Sequence, residues 1–224
     1  MDSTDNYFNR LEREYDGEVK HITAPLENNY VVWITSNQVS TNEETNELEK
    51  SVHNGNGVLV GDLLITAGHV VKKGSDHTFR FNDHIFKLKD LEEIFISTAK
   101  ENYEYDLAVY KISGINSPLT LSPKKPEINH ILTSKSYSMG KGYIACDATV
   151  IDTSEESGLY YGVETSVSLK EGSSGSPLFD GNQVFGIIVA GNNDKNEKVN
   201  PELSLNTCYV LSSSAINEII NQIK

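Results

Sequence analysis

The stretch Gly57–Ala67, GVLVGDLLITA, decides how the chain folds. It is short, rich in β-branched residues and punctuated by Gly and Asp, which is the signature of strands and turns. Runs of the same kind recur on both sides of it. Before it stands YVVWIT (30–35). After it come HTFRF (77–81), HIFKLK (84–89) and DLAVYKI (106–112). A second set follows: GYIACDATVID (142–152), LYYGVETSV (159–167), SPLFD (176–180), QVFGIIVAG (183–191) and TCYVLS (207–212). So many short strands with frequent turns predict an all-β barrel or sandwich. Between the sets, SGINSPLTLSPKKPEINH (113–130) carries three prolines and suits a linker between two β lobes of similar size.

The expected organisation is an N-terminal extension (1–24), a first lobe (25–112), the linker (113–130), a second lobe (131–212) and a closing helix (213–224). In that last segment a Ser precedes Ile216, Ile219, Ile220 and Ile223, which recur at helical spacing. The polar run 36–56 offers no apolar face and reads as a long exposed hairpin loop, locally helical at its acidic centre.

The 224 residues suffice for two lobes with real cores, and the net charge of −13 repels phosphate backbones and anionic lipid surfaces. Neither nucleic acid nor membrane is therefore an expected partner. Two cysteines, Cys146 and Cys208, are too few to staple a domain of this size. With a polar, acidic N-terminus lacking an apolar segment, they point to the cytoplasm. Cys146 reads as a small buried hydrophobe, whereas Cys208 lies near a candidate pocket. The histidines outside LLITAGHVV have no metal-ligand spacing, so neither a metal nor another cofactor is expected; His77 and His84 read as strand residues.

Chemistry enters with Leu169–Gly181, LKEGSSGSPLFDG, where two serines sit between two glycines. A serine hydroxyl attacks only if an imidazole takes its proton, and the imidazole works best oriented by a carboxylate. LLITAGHVV presents His69 after an apolar strand, and YEYDLAVYKI presents Asp106 at the entry to another.

Over roughly residues 25–215 the chain resembles the trypsin-like (chymotrypsin-fold) serine peptidases. GNGVLVGDLLITAGHVV looks like the family's Thr-Ala-(Ala/Gly)-His segment, YDLAVYKI like its Asp-(Ile/Leu)-Ala-(Leu/Val) strand, and EGSSGSPLFDGNQVFGIIVAG like its Gly-x-Ser-Gly-(Gly/Ser)-Pro segment. The chain order His, Asp, Ser is also the family's. The resemblance implies two six-stranded-type β-barrels packed face to face around a cleft. It implies His69 as general base and acid, Asp106 as the orienting carboxylate, Ser174 as nucleophile, and the N–H groups of Gly172 and Ser174 as the oxyanion hole. Ser168, Leu169, Val189, Ala190, Gly191 and Thr207 would shape the pocket for the residue before the scissile bond. None is acidic, which argues against an Arg or Lys preference and leaves a small or medium apolar residue.

Two departures matter. Ser173 stands where digestive relatives have the Asp that pairs with a newly cut N-terminus, so the HtrA-like, glutamyl-endopeptidase-like or viral branches are the nearer match. Val189 stands where many relatives have a serine that bonds the triad carboxylate. The expected activity is hydrolysis of polypeptide substrates through an acyl-enzyme. The rival reading is a catalytically silent barrel acting as a binding or scaffold module, or an intact triad switched on by an activating protein partner.

Overall fold

A computed structural model of the chain describes residues 30–41, 48–71, 76–82, 84–98, 105–138, 142–153, 158–169, 172–191 and 206–223. It is built on two β-sheets and one C-terminal helix. The first sheet holds seven strands: β1 (Val31–Thr41), β2 (Leu48–Val60), β3 (Leu63–Thr66), β4 (Asp76–Phe81), β5 (His84–Lys87), β6 (Glu92–Ser97) and β7 (Leu107–Lys111). Their order is β5-β4-β1-β2-β3-β7-β6. The second holds β8 (Thr120–Leu121), β9 (Ile131–Ser138), β10 (Gly142–Asp152), β11 (Tyr160–Thr165), β12 (Pro177–Asp180), β13 (Gln183–Gly191) and β14 (Thr207–Ser212). It runs β12-β9-β10-β11-β14-β13-β8, and an extra β12–β13 pairing closes six of these strands into a barrel with β8 attached in parallel to β13. This is the chymotrypsin-like arrangement the resemblance implies.

The uninterrupted apolar runs now have a physical reason. Successive strand residues point to opposite faces, so a run apolar at every position must be buried on both. Val32, Leu59, Leu64, Ala108 and Tyr110 fill the first lobe, while their chain neighbours Val31, Val58, Ile65, Leu107 and Val109 face outward. There they meet Phe179, Val184, Ile187 and Leu211 of the second lobe in a shared inter-lobe core. A third cluster, including Leu132, Val150, Val163, Leu178 and Val210, fills the second barrel.

Helix α1 (Ser213–Ile223) seals the inter-lobe core with Ala215, Ile216, Ile219 and Ile220. Ser212 caps it, its Oγ accepting the Ala215 N–H at 3.3 Å. Ile223, the last of the predicted apolar stripe, is exposed.

The polar run 36–56 corrects its sequence reading. It is not a loop: β1 and β2 pair without a break from Val31↔Val58 to Thr41↔Leu48. Ladder bonds are made by backbone groups, so a two-stranded ribbon can project into solvent without an apolar face; Val52 and His53 on it are exposed. The acidic centre, 42–47, lies outside the described residues. Strands β6 and β9 were not legible either, because EEIFIS and ILTSKSYS mix charge and serine into their alternation.

Candidate active site

The carboxylate of Asp106 and the imidazole of His69 meet beyond the ends of two neighbouring interior strands of the first sheet, β3 and β7. Asp106 precedes β7 and is buried, and His69 lies in a single turn of 3₁₀ helix, Gly68–Val70, that follows β3. Asp106 Oδ2 is 2.5 Å from His69 Nδ1, and Oδ1 accepts the backbone N–H of His69 at 2.8 Å. Gly68 makes the approach possible, since a Cβ there would run into the Ser97 carbonyl and crowd Asp106 Oδ1. His69 thus engages both carboxylate oxygens, although residue 189 is a valine. From the second lobe, the hydroxyl of Tyr160 accepts the Asp106 N–H at 3.4 Å.

With its Nδ1–H committed to a carboxylate, an imidazole presents Nε2 as the basic nitrogen. The side chain is exposed, with 43% of its surface in solvent.

Ser174 arrives from the second lobe on a tightly tied turn. Gly172 and Gly175 hold positive φ angles of 92° and 80°, a region L side chains disfavour. The Ser173 carbonyl accepts the Ser176 N–H at 3.1 Å, and the Gly175 N–H donates to the Ile188 carbonyl at 2.7 Å. The Ser174 carbonyl crosses to the first lobe, accepting the Asn56 N–H at 2.7 Å. Thr66, three residues before His69, donates its hydroxyl to the Asn56 carbonyl at 2.5 Å. The Ser174 turn is therefore docked against the strand ends that lead to His69. Ser173 is buried and Ser174 is part-exposed.

The predicted pocket residues divide. Ala190 and Gly191 on β13 lie opposite Tyr209 and Cys208 of β14, and buried Thr207 begins that strand. Val189 occupies a break in the β13–β14 register and packs against the inter-lobe core and the first-lobe core, while Leu169 packs against the second-lobe core. Cys208 is buried, not accessible, and burial together with nearby Cys146 pushes its thiol pKa up to about 12.

Two contributors escaped the sequence reading. Asn56 ends the polar run 36–56, and its partners are backbone groups that the sequence does not reveal. Tyr160 stands in the strand run LYYGVETSV, where nothing in the sequence distinguishes it from a barrel aromatic.

Comparison with solved structures supports the fold. The Rv3671c protease of M. tuberculosis in its active form superposes with a TM-score of 0.64 at 16% identity, covering 89% of this chain and 84% of that one. Its inactive form gives 0.60 at 19%, covering 87% and 88%. An HtrA-type protease, an AlgW variant with a decapeptide, gives 0.67 at 15%, covering 87% and 63%. No curated protein sequence matches the chain significantly. Residues 55–187, more than half of the chain, match the model of the Trypsin-like peptidase domain, and the chain belongs to that family.

Proposed function

We propose that the chain is a serine endopeptidase in which His69, Asp106 and Ser174 act as one unit. The observation that carries this reading is the two-point hydrogen bonding of His69 by buried Asp106, on the strand ends against which the Ser174 turn is docked. Ser174 Oγ attacks the scissile carbonyl carbon as His69 Nε2 takes its proton. The charge that builds on the carbonyl oxygen is met by the N–H groups of Gly172 and Ser174, a kind of contact worth about 3–4 kcal/mol per donor in the transition state. His69 then hands its proton to the leaving amine, and water, activated by the same nitrogen, cleaves the acyl-enzyme. Asp106 stabilises the imidazolium throughout.

The substrate is a polypeptide. Ala190, Gly191 and Thr207, the described residues that would bound its pocket, are uncharged and favour a small or medium apolar side chain before the scissile bond.

Labelling with a fluorophosphonate probe tests the reading. Wild type and Ser173→Ala should label and Ser174→Ala should not; a folded wild type that stays unlabelled would instead favour a scaffold module.

A further inference from the structure

Asn56 is fully buried, and its side chain lies between backbone groups of the opposite lobe. Nδ2 donates to the Gly172 carbonyl at 2.6 Å and to the Tyr137 carbonyl at 3.0 Å. Oδ1 accepts the Tyr137 N–H at 2.7 Å. Because an N–H can only donate and a carbonyl can only accept, these partners fix which end of the amide is which. The backbone adds two further ties: Asn56 N–H to the Ser174 carbonyl, and Thr66 Oγ1 to the Asn56 carbonyl. Both amide hydrogens and every polar heavy atom of the residue are engaged.

The consequence falls on the turn that carries Ser174. Asn56 Nδ2 holds the peptide plane joining residues 172 and 173, and Asn56 N–H holds the plane joining 174 and 175. The plane between them is tied by the Ser173–Ser176 bond. That middle plane carries the N–H of Ser174, so its direction is set from both sides. Only the side-chain tie depends on residue 56 being Asn; the backbone tie would survive almost any substitution.

We propose that the Asn56 side chain is a positioning residue: a donor from the first lobe that fixes the Gly172 carbonyl and holds residues 172–175 in the conformation that aims the Ser174 N–H at the developing oxyanion. This rests on the serine-peptidase reading above, and it assigns the first lobe a part in building a donor that belongs to the second.

Two variants separate positioning from plain stability. Asn56→Asp keeps the shape and the acceptor facing Tyr137 N–H but turns an oxygen toward the Gly172 and Tyr137 carbonyls. Asn56→Gly deletes the side chain and keeps the backbone ties. With p-nitrophenyl acetate as substrate, kcat per folded molecule should fall by about tenfold or more in both, as expected when a reacting group is misplaced by a fraction of an ångström to an ångström. KM should stay within about twofold in both, and in Asn56→Gly, which adds no titrating group, the shape of the pH profile should not change, because the His69–Asp106 pair is untouched. A residue that only stabilises would lower the melting temperature and leave kcat per folded molecule at the wild-type value, and that result would overturn the proposal. Amide hydrogen exchange reads the clamp without activity: on a Ser174→Ala background, adding Asn56→Gly should speed exchange at positions 175 and 176, whose N–H groups are bonded within and behind the turn, by about tenfold or more, while Ser212, bonded to the Leu159 carbonyl away from the turn, is unchanged. Unchanged exchange at those positions would overturn it too. If wild type does not turn over the ester yet exchange still depends on Asn56, the peptidase reading fails and the clamp stands.

Discussion

Asp106 holds His69 by both the ring and the backbone: one carboxylate oxygen faces Nδ1 and the other accepts the residue's own N–H. The two bonds are not redundant. The backbone bond fixes which carboxylate oxygen faces the ring, and the ring bond then fixes the imidazole tautomer.

That division makes Asp106→Asn a sharp test. The amide must keep its oxygen toward the His69 N–H, since only an acceptor can sit there, so its NH2 turns toward Nδ1. Nδ1 becomes an acceptor, the ring proton moves to Nε2, and the base is lost. Turnover should fall by about 10⁴ with melting temperature little changed. Retention of more than a tenth of the wild-type rate would show that Asp106 does not set the tautomer.

Gly175→Ala should disrupt the docking of the Ser174 turn. The residue has a φ of 80°, and a Cβ there would strike the Asn56 carbonyl oxygen and Thr66 Oγ1. The backbone penalty is about 1–2 kcal/mol before any clash, so a destabilisation of about 2–4 kcal/mol with loss of Ser174 labelling is expected. Chemical denaturation and probe labelling of the same sample check both parts. By contrast, Gly181→Ala meets no neighbour within 4 Å and should cost only the backbone share.

These contacts also show what a sequence exposes. The strands with buried faces were legible because two-sided burial demands apolar residues at every position. The pairing of His69 with Asp106 was legible because each stands at the end of such a strand. Asn56 and Tyr160 were hidden, since their partners are backbone groups distant in the chain, and a hydrogen bond to a peptide leaves no mark on the partner's residue type. The β1–β2 ribbon was hidden for the same reason: backbone pairing asks nothing of its side chains.

Ile216→Ala tests the closing helix. Ile216 is fully buried in the inter-lobe core beside Ile219 and Ile220, with residues of both sheets around it. Truncation should cost about 2–5 kcal/mol, through lost burial and the cavity left behind. Ile223→Ala, on the same helix but exposed, should change stability by less than about 0.5 kcal/mol. Urea denaturation of the two variants decides whether the helix is a structural seal or an appendage.

The buried thiol of Cys208 makes stability fall on the alkaline side. Its ordinary value of 9.0 applies to the unfolded chain, whereas burial, with a smaller contribution from Cys146, raises it to about 12 in the folded protein. Between these values the unfolded chain releases a proton that the folded chain retains, so stability is intact below about pH 9 and declines as pH rises toward 12, by up to about 1.4 kcal/mol per pH unit for this group. The same burial keeps the thiol neutral near pH 8, where only about one molecule in 10⁴ carries the reactive thiolate. Iodoacetamide at that pH should therefore leave Cys208 unmodified and Ser174 labelling intact until urea unfolds the chain. In melting experiments between pH 8 and 10.5, Cys208→Ala should begin less stable than wild type but lose less stability as pH rises. Parallel curves, or rapid native-state alkylation mapped to Cys208 by mass spectrometry, would contradict the burial of this thiol.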